Sequence, residues 1–211
     1  MPTESAKAGQ IIEASEPKRP GAARAGRIVL ARHGEPALSR KVRLSAREYR
    51  DWWALYEAGG ILAGQSPPEH LIEAAARAGV IYTSTRRRAK ETALALADGR
   101  DFTHEEVFIE APLPPPPCPD FVKLSPKTWG VISRISWWLG HHRGEETRKE
   151  AQKRAAEAAR LLDAAARRGE DVLVVAHGFF NTMIGLELKK RGWRLVKGRG
   201  WRYWSTRYYA R

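Results

Sequence analysis

Two histidine–glycine pairs each follow an apolar run, so each offers an imidazole at the end of an expected buried strand. The first pair stands in Arg32-His33-Gly34, after Ile28–Ala31. The second, His177-Gly178, follows Val172–Ala176. A neutral imidazole is a nucleophile at pH 7, and an arginine guanidinium binds two phosphate oxygens at once. This pattern predicts a site for a phosphate monoester, in which His33 attacks phosphorus and forms a phosphohistidine.

Further cations of this predicted site lie in the middle of the chain. The segment Ser84-Thr85-Arg86-Arg87-Arg88 leads from a short apolar strand into a helix. Arg88 is expected to bind phosphoryl oxygens together with Arg32, with Arg86 and Arg87 as alternatives. Ser84 is expected at the same sheet edge, as a phosphate-site residue or as the helix cap. Three cations in a first helical turn oppose the helix dipole, so an anion should lie nearby.

Several short motifs, taken in chain order, resemble the histidine phosphatase superfamily, also called phosphoglycerate mutase-like. The resemblance extends over roughly residues 27–184 and implies that Arg32, His33, Arg88 and His177 form the phosphate pocket. His177 would then add a hydrogen bond that strengthens as charge spreads in the transition state. The motifs are Arg32-His33-Gly34, Ser84 with Arg88 and Thr92-Ala93, Gly144-Glu145 and His177-Gly178.

The sequence departs from this family at the general acid. Members commonly carry a glutamate two residues after a leucine in this region, whereas Leu113 is followed by Pro114 and Pro115. Glu110 is the replacement candidate, and Asp120 and Glu35 stay open as alternatives. The missing acid leaves a second interpretation open, a catalytically weak phosphate-binding sensor or scaffold of the same fold.

The order of elements predicts the architecture. Strand and helix patterns alternate, which favours an α/β three-layer sandwich with a mostly parallel central sheet and helices on both faces. Residues 1–26 lack periodicity and are interpreted as a disordered leader, and residues 27–211 as one domain. A capping box at Ser45–Glu48 precedes four aromatic residues at helical spacing, for which core packing is favoured over substrate stacking. The four are Tyr49, Trp52, Trp53 and Tyr56.

The positive net charge of the chain favours an anionic partner. The chain of 211 residues carries 37 Lys and Arg against 24 Asp and Glu, a formal charge of +13. A small phosphorylated substrate fits this balance. Residues 189–211 contain nine cations, no acidic residue and six Trp or Tyr, which predicts a terminal strand. They also leave open a surface for nucleic acid or an anionic membrane.

Residue composition excludes several kinds of site and of protein. Cys118 is the single cysteine, so an internal disulfide and a CxxC metal pair are excluded. His141-His142 has no third ligand in its segment and reads as a solvated loop. The predicted chemistry needs no metal or other cofactor. The N-terminus has no apolar region of a secretory signal, and no apolar run would span a membrane, so we expect a cytoplasmic protein.

Overall fold

The computed structural model describes residues 25–198 and 200–211. The predicted leader therefore lies outside the described residues, except for Ala25 and Gly26. Ala25 packs against the core, and the Gly26 N–H donates to Ala166 O at 2.8 Å. None of the described helices is long and apolar enough to cross a membrane.

The described strands form one mixed sheet, in the order β3-β2-β4-β1-β6-β5. β1, β2, β3 and β4 run parallel, whereas β6 pairs antiparallel with β1 and β5 antiparallel with β6. The parallel ends of β1, β4 and β2 therefore share one edge, where open α/β sheets bind ligands. The strands are β1 Ile28–Arg32, β2 Ala78–Ser84, β3 Thr103–Glu105, β4 Asp171–Ala176, β5 Arg194–Lys197 and β6 Thr206–Ala210.

Helices cover both faces of this sheet, which confirms the predicted three-layer α/β sandwich. Alternate residues of β1 face opposite layers, as a period of two requires. Ile28 and Leu30 pack with α5 and α6, whereas Val29 and Ala31 pack with α2 and α3. The helices are α1 Ala46–Ala58, α2 Glu69–Arg77, α3 Arg87–Ala97, α4 Pro126–Trp138, α5 Arg148–Ala166 and α6 Gly178–Lys190.

The aromatic residues of α1 form a separate small core, as predicted. Tyr49, Trp52 and Tyr56 are buried and pack with Trp129 of α4. The capping box at Ser45 starts the helix, because the Ser45 side chain accepts from Glu48 N and the Glu48 side chain accepts from Ser45 N. This cluster fixes the C-terminal end of α1 above the sheet edge.

The C-terminal region contains one more strand than the sequence predicts. The expected terminal strand is β6. Strand β5, whose four residues are all exposed on the sheet edge, was not predicted. Trp193, Tyr208 and Tyr209 are buried core residues, whereas Trp201 is 50% exposed. Half of the aromatic residues proposed for a surface patch therefore belong to the core.

Candidate active site

The two imidazoles meet at one edge of the sheet because β1 and β4 are neighbours. Arg32 and Ala176 end the paired strands in register, so His33 and His177 leave the sheet at the same level. Their ring centroids lie 5.2 Å apart in an edge-to-face arrangement. Both side chains are buried, with 2% of His33 and none of His177 exposed.

A backbone contact fixes the tautomer of His33. Its Nδ1 lies 2.7 Å from Gly34 O, and a carbonyl oxygen only accepts, so Nδ1 carries the proton. The lone pair is therefore on Nε2. The turn that makes this contact is held by Thr92, whose Oγ1 accepts from Gly34 N at 2.9 Å. The arrangement leaves a lone pair on Nε2 of His33 that could attack an electrophile.

Arg88 lies at the centre of the site and is 1% exposed. Its Nε donates to Nε2 of His33 at 3.3 Å, and its Nη2 lies 3.3 Å from Nδ1 of His177. Its Nη1 donates to Tyr56 O at 3.0 Å, in the last turn of α1, where carbonyl groups lack helical partners. Its Nη2 also pairs with Glu57 Oε1 at 2.7 Å. One guanidinium thus links both imidazoles to the end of α1.

The partners of His177 fix its tautomer as well. An arginine N–H only donates, so Nδ1 of His177 accepts from Arg88, and Nε2 carries the proton. Nε2 then donates to Ser84 Oγ at 2.8 Å. Ser84 is buried at the end of β2 and joins the site through this bond. The prediction that Ser84 caps the next helix is wrong, because α3 has Arg86 as its N-cap with no side-chain cap bond.

Arg32 reaches the same place from the end of β1. Its Cζ lies 4.4 Å from the ring centre of Tyr203, and its Nη1 donates to Trp201 O. An added Cβ at Gly178 would lie 3.2 Å from Arg32 Cδ, so the glycine after His177 lets this side chain pass close to the backbone. Arg32 therefore lies between the start of α6 and the loop before β6.

Burial and positive charge keep both imidazoles neutral. Burial lowers the pKa of His33 well below 6.5, and the charges of Arg88, Arg32 and Arg40 lower it further. Burial likewise lowers the pKa of His177 well below 6.5, with the Arg88 charge as the next cause. Desolvation and nearby cations both disfavour the imidazolium form. At pH 7 the site presents neutral imidazoles beside arginine cations.

Glu57 is a site residue that the sequence did not predict. Its Oε1 pairs with Arg88 and its Oε2 lies 2.8 Å from Arg86 Nε, with 16% of its side chain exposed. The expected anion near the first turn of α3 is therefore a carboxylate of the chain itself. Arg87 points outward and pairs with Glu91. No local pattern marks Glu57, since its partners lie about 30 residues away along the chain.

Glu110 lies beside the site, on the first turn of α6. Its Oε1 accepts from Phe180 N at 2.9 Å and its Oε2 from Phe179 N at 3.4 Å. These amides lie two and three residues after His177, so the carboxylate binds the N-terminus of α6. Glu110 also lines a cavity of 1110 Å³ that includes Glu57, Arg86 and Glu145. Burial raises the pKa of Glu145, and the charge of Glu57 adds to this.

The other acid candidates lie outside this cluster. Asp120 pairs with Arg47 on the surface, with 56% of its side chain exposed. Glu35 is exposed on the opposite rim, where it lines a second cavity with Arg32 and Arg40.

The adjacent histidines contact backbone carbonyl oxygens, one in a different loop and one in their own. Nε2 of His141 lies 3.2 Å from Pro115 O, and Nδ1 of His142 lies 3.2 Å from Glu145 O. Within residues 25–198 and 200–211, no group of three His, Cys, Asp or Glu side chains could hold a metal ion.

Comparison with known proteins places this site in a family. Residues 28–202 match the model of the histidine phosphatase superfamily (branch 1), which confirms the resemblance predicted from the motifs. No curated protein matches the chain.

Solved structures share the fold. A phosphoserine phosphatase from Entamoeba histolytica, solved with 3-phosphoglyceric acid, has a TM-score of 0.52 and 17% identity, covering 87% of this chain and 89% of its own. A mycobacterial glucosyl-3-phosphoglycerate phosphatase, solved with VO3, has a TM-score of 0.52 and 20% identity, covering 79% and 83%.

Proposed function

Because this chain belongs to the histidine phosphatase superfamily, we propose that it hydrolyses phosphate monoesters through a phosphohistidine formed on His33. The observation that carries the proposal is the bond from Nδ1 of His33 to Gly34 O at 2.7 Å. This bond supports an attacking lone pair on Nε2, in a ring that burial keeps neutral. A small phosphorylated molecule is the proposed partner, and the chemistry uses no metal or other cofactor.

The arginines and His177 would bind the phosphoryl group. Arg88 already directs its Nε–H at His33 Nε2, so a phosphorus atom at that nitrogen would bring phosphoryl oxygens within its reach. Arg32 would contribute a second guanidinium from the end of β1. Nδ1 of His177 now accepts from Arg88, so it would need a proton, or a ring flip that releases Nε2–H from Ser84, to donate to the phosphate. A bound dianion favours that protonation.

The proposed reaction proceeds by two successive displacements at phosphorus. First, Nε2 of His33 forms a bond to phosphorus while the bond to the ester oxygen breaks, and the leaving oxygen takes a proton to give the free alcohol. Water then attacks phosphorus and gives a proton to the group that protonated the leaving oxygen, the phosphorus–nitrogen bond breaks, and inorganic phosphate leaves. His33 returns to its neutral form.

Glu110 is the proposed source of the proton for the leaving oxygen. Its position supports this role, because the carboxylate binds the first turn of α6, which begins just after His177, and lines the cavity that includes Glu57 and Arg86. Glu57 is the competing carboxylate. Its pairing with both Arg86 and Arg88 instead favours a role in holding cations in place.

One observation favours the second interpretation, a phosphate-binding sensor or scaffold with weak turnover. The site is already satisfied by the chain, since Glu57 pairs with Arg88 at 2.7 Å and Trp201 O accepts from Arg32. A phosphate must displace or share these contacts, which would weaken binding or slow the reaction.

Hydrolysis of p-nitrophenyl phosphate with EDTA present separates the two interpretations. The intact protein and His33→Ala are compared from pH 5 to 8, and calorimetry measures the affinity of each for inorganic phosphate. We expect activity in the intact protein that His33→Ala loses, together with an acid-labile phosphoenzyme. Phosphate binding without any difference in rate would instead establish the sensor, and rates that depend on EDTA would contradict metal independence.

A further inference from the structure

Tyr203 links the site to a second arginine that the resemblance does not include. Its ring centre lies 5.7 Å from that of His33 and 4.4 Å from Arg32 Cζ. Its hydroxyl accepts from Arg40 Nη1 at 2.8 Å. Arg40 follows the Arg-His-Gly turn, and Tyr203 lies in the loop before β6. Two guanidinium groups therefore meet at one aromatic side chain above the nucleophile.

Neither guanidinium group forms an ion pair within the described residues, and the exposed Glu35 lines the same cavity without pairing with either. Among the described ion pairs, none involves Arg32 or Arg40, whereas Arg88 has Glu57. The Nε atoms of Arg32 and Arg40 are buried and have no hydrogen-bond partner. A buried N–H without a partner costs free energy, so a ligand that accepts from it is favoured. Both arginines also line one cavity of 560 Å³ with Tyr203.

We propose that Arg40 is a further residue that binds the transferred phosphoryl group, and that the Tyr203 hydroxyl positions it. The inference rests on the proposed function and adds a residue to its site. Arg32 and Arg40 meet at Tyr203, and Arg40 Cζ also lies 5.9 Å from the ring centre of Tyr56 in α1. Arg88 binds Tyr56 O at the end of the same helix. A phosphoryl group at Nε2 of His33 would then meet three guanidinium groups.

The electrostatics of His33 agree with this position. The charge of Arg40 lowers the pKa of His33, so the guanidinium acts on the nucleophile itself. Removing that charge should therefore raise the pKa of His33 and move the acid limb of the rate profile to higher pH. The titratable or charged groups around His33 are Arg32, Arg40, Arg88, His177, Tyr203 and, through Arg88, Glu57.

The test is steady-state hydrolysis of p-nitrophenyl phosphate and 2-phosphoglycolate by Arg40→Gln, Tyr203→Phe and the double variant. We expect Arg40→Gln to lower kcat/KM for both substrates about 10- to 100-fold, the loss expected for a charged hydrogen bond. Tyr203→Phe keeps the ring over Arg32 and should cost less. In the Arg40→Gln background it should cost nothing further, because the two residues act as one unit.

Arg43→Gln is the matched control, since Arg43 is exposed in the same segment and contacts only Lys123 O. Its kcat/KM and pH profile should equal those of the intact protein. If Arg40→Gln does not fold, Arg40→Lys keeps the charge and should retain the pH profile while losing kcat/KM. A loss confined to 2-phosphoglycolate would overturn the assignment, because Arg40 would then bind the carboxylate.

A measurement of phosphate binding tests the role of Arg40 independently of the proposed hydrolysis. Calorimetry with inorganic phosphate should show an affinity about tenfold weaker in Arg40→Gln, the lower limit expected for a charged hydrogen bond. If no substrate is hydrolysed, the proposed function fails, yet weaker phosphate binding would still support Arg40. If hydrolysis and phosphate affinity are both unchanged in Arg40→Gln, this inference fails and the proposed function stands.

Discussion

Nε of Arg88 lies 3.3 Å from Nε2 of His33, so the lone pair proposed to attack phosphorus faces a cation. Burial is the main cause of the lowered pKa of this imidazole, and Arg88 adds to it through its charge while directing an N–H at the lone pair. Arg88 can do both because its planar fork has five N–H donors, which meet His33, His177, Glu57 and the end of α1 together.

Arg88→Lys should therefore lower kcat/KM for p-nitrophenyl phosphate about 100-fold, since an ammonium group cannot replace a planar fork with several partners. Arg87→Lys is the matched control. Its side chain is 70% exposed and pairs only with Glu91, so its rate should stay within about twofold of the intact protein. Equal rates for the two variants would contradict the central place of Arg88.

Ser84→Ala should reduce both stability and activity. It removes the acceptor of the buried Nε2–H of His177, which we expect to lower the free energy of unfolding by about 1–3 kcal/mol. Urea denaturation measures this change. Ser133→Ala is the control, because Ser133 is also buried but its Oγ has no partner. Its stability should not fall, and an equal loss in both variants would point to packing alone.

Glu110→Gln should lower the hydrolysis rate more for a substrate with a poor leaving group than for one with a good leaving group. Without its proton donor, the protein should hydrolyse ethyl phosphate about 100-fold more slowly, whereas p-nitrophenolate leaves without a proton and its release should change little. Glu57→Gln should slow both substrates, because it disturbs Arg88. Uniform loss on both substrates in Glu110→Gln would show that this carboxylate only holds the start of α6.

Gly34→Ala should disturb the turn after His33. The new Cβ would lie 2.5 Å from Cζ2 of Trp204, so the loop before β6 must move, at about 1–3 kcal/mol of stability. Gly130→Ala is the control in α4, where the nearest side-chain atom would lie 3.7 Å away. It should be neutral or stabilise by about 0.5–1 kcal/mol, because alanine favours a helix. Thermal or urea unfolding compares the two.

Stability should fall as pH drops below 6.5. The pKa values of His33 and His177 are lowered in the folded protein, so the unfolded chain binds protons that the folded chain does not. The contribution is complete above pH 6.5 and decreases below it, by up to about 1.4 kcal/mol per pH unit for each imidazole. Urea midpoints at pH 7.5 and 5.5 measure this.

His33→Asn should reduce that pH dependence, since one of the two buried imidazoles is gone. The exposed His70 supplies the control, because His70→Gln should leave the dependence unchanged. A His33→Asn variant that loses as much stability on acidification as the intact protein would contradict neutral burial of His33.

The sequence alone predicted β1, β2, β4 and β6, the helices that cover them, and four residues of the phosphate pocket. Apolar runs ending in His33 and His177, and the helix pattern after Ser84, are local signals, because strand and helix periodicity are written in consecutive residues. Parallel strands end at one edge, so His33 and His177 would meet there if their strands were neighbours, and the family resemblance grouped Arg32 and Arg88 with them. The pairing of β1 with β4 is a property of the tertiary structure. The superfamily followed from the same residues.

Only the tertiary structure decided the partners of these groups. Glu57 reaches Arg88 from α1, Glu110 binds the start of α6, and Tyr203 covers Arg32 from the loop before β6. Each contact joins residues 31 to 171 positions apart, and no local pattern records which distant side chain fills the space beside a charge. Packing settles that choice, because the C-terminal end of α1, the α6 start and the β6 loop converge only once the sheet has formed.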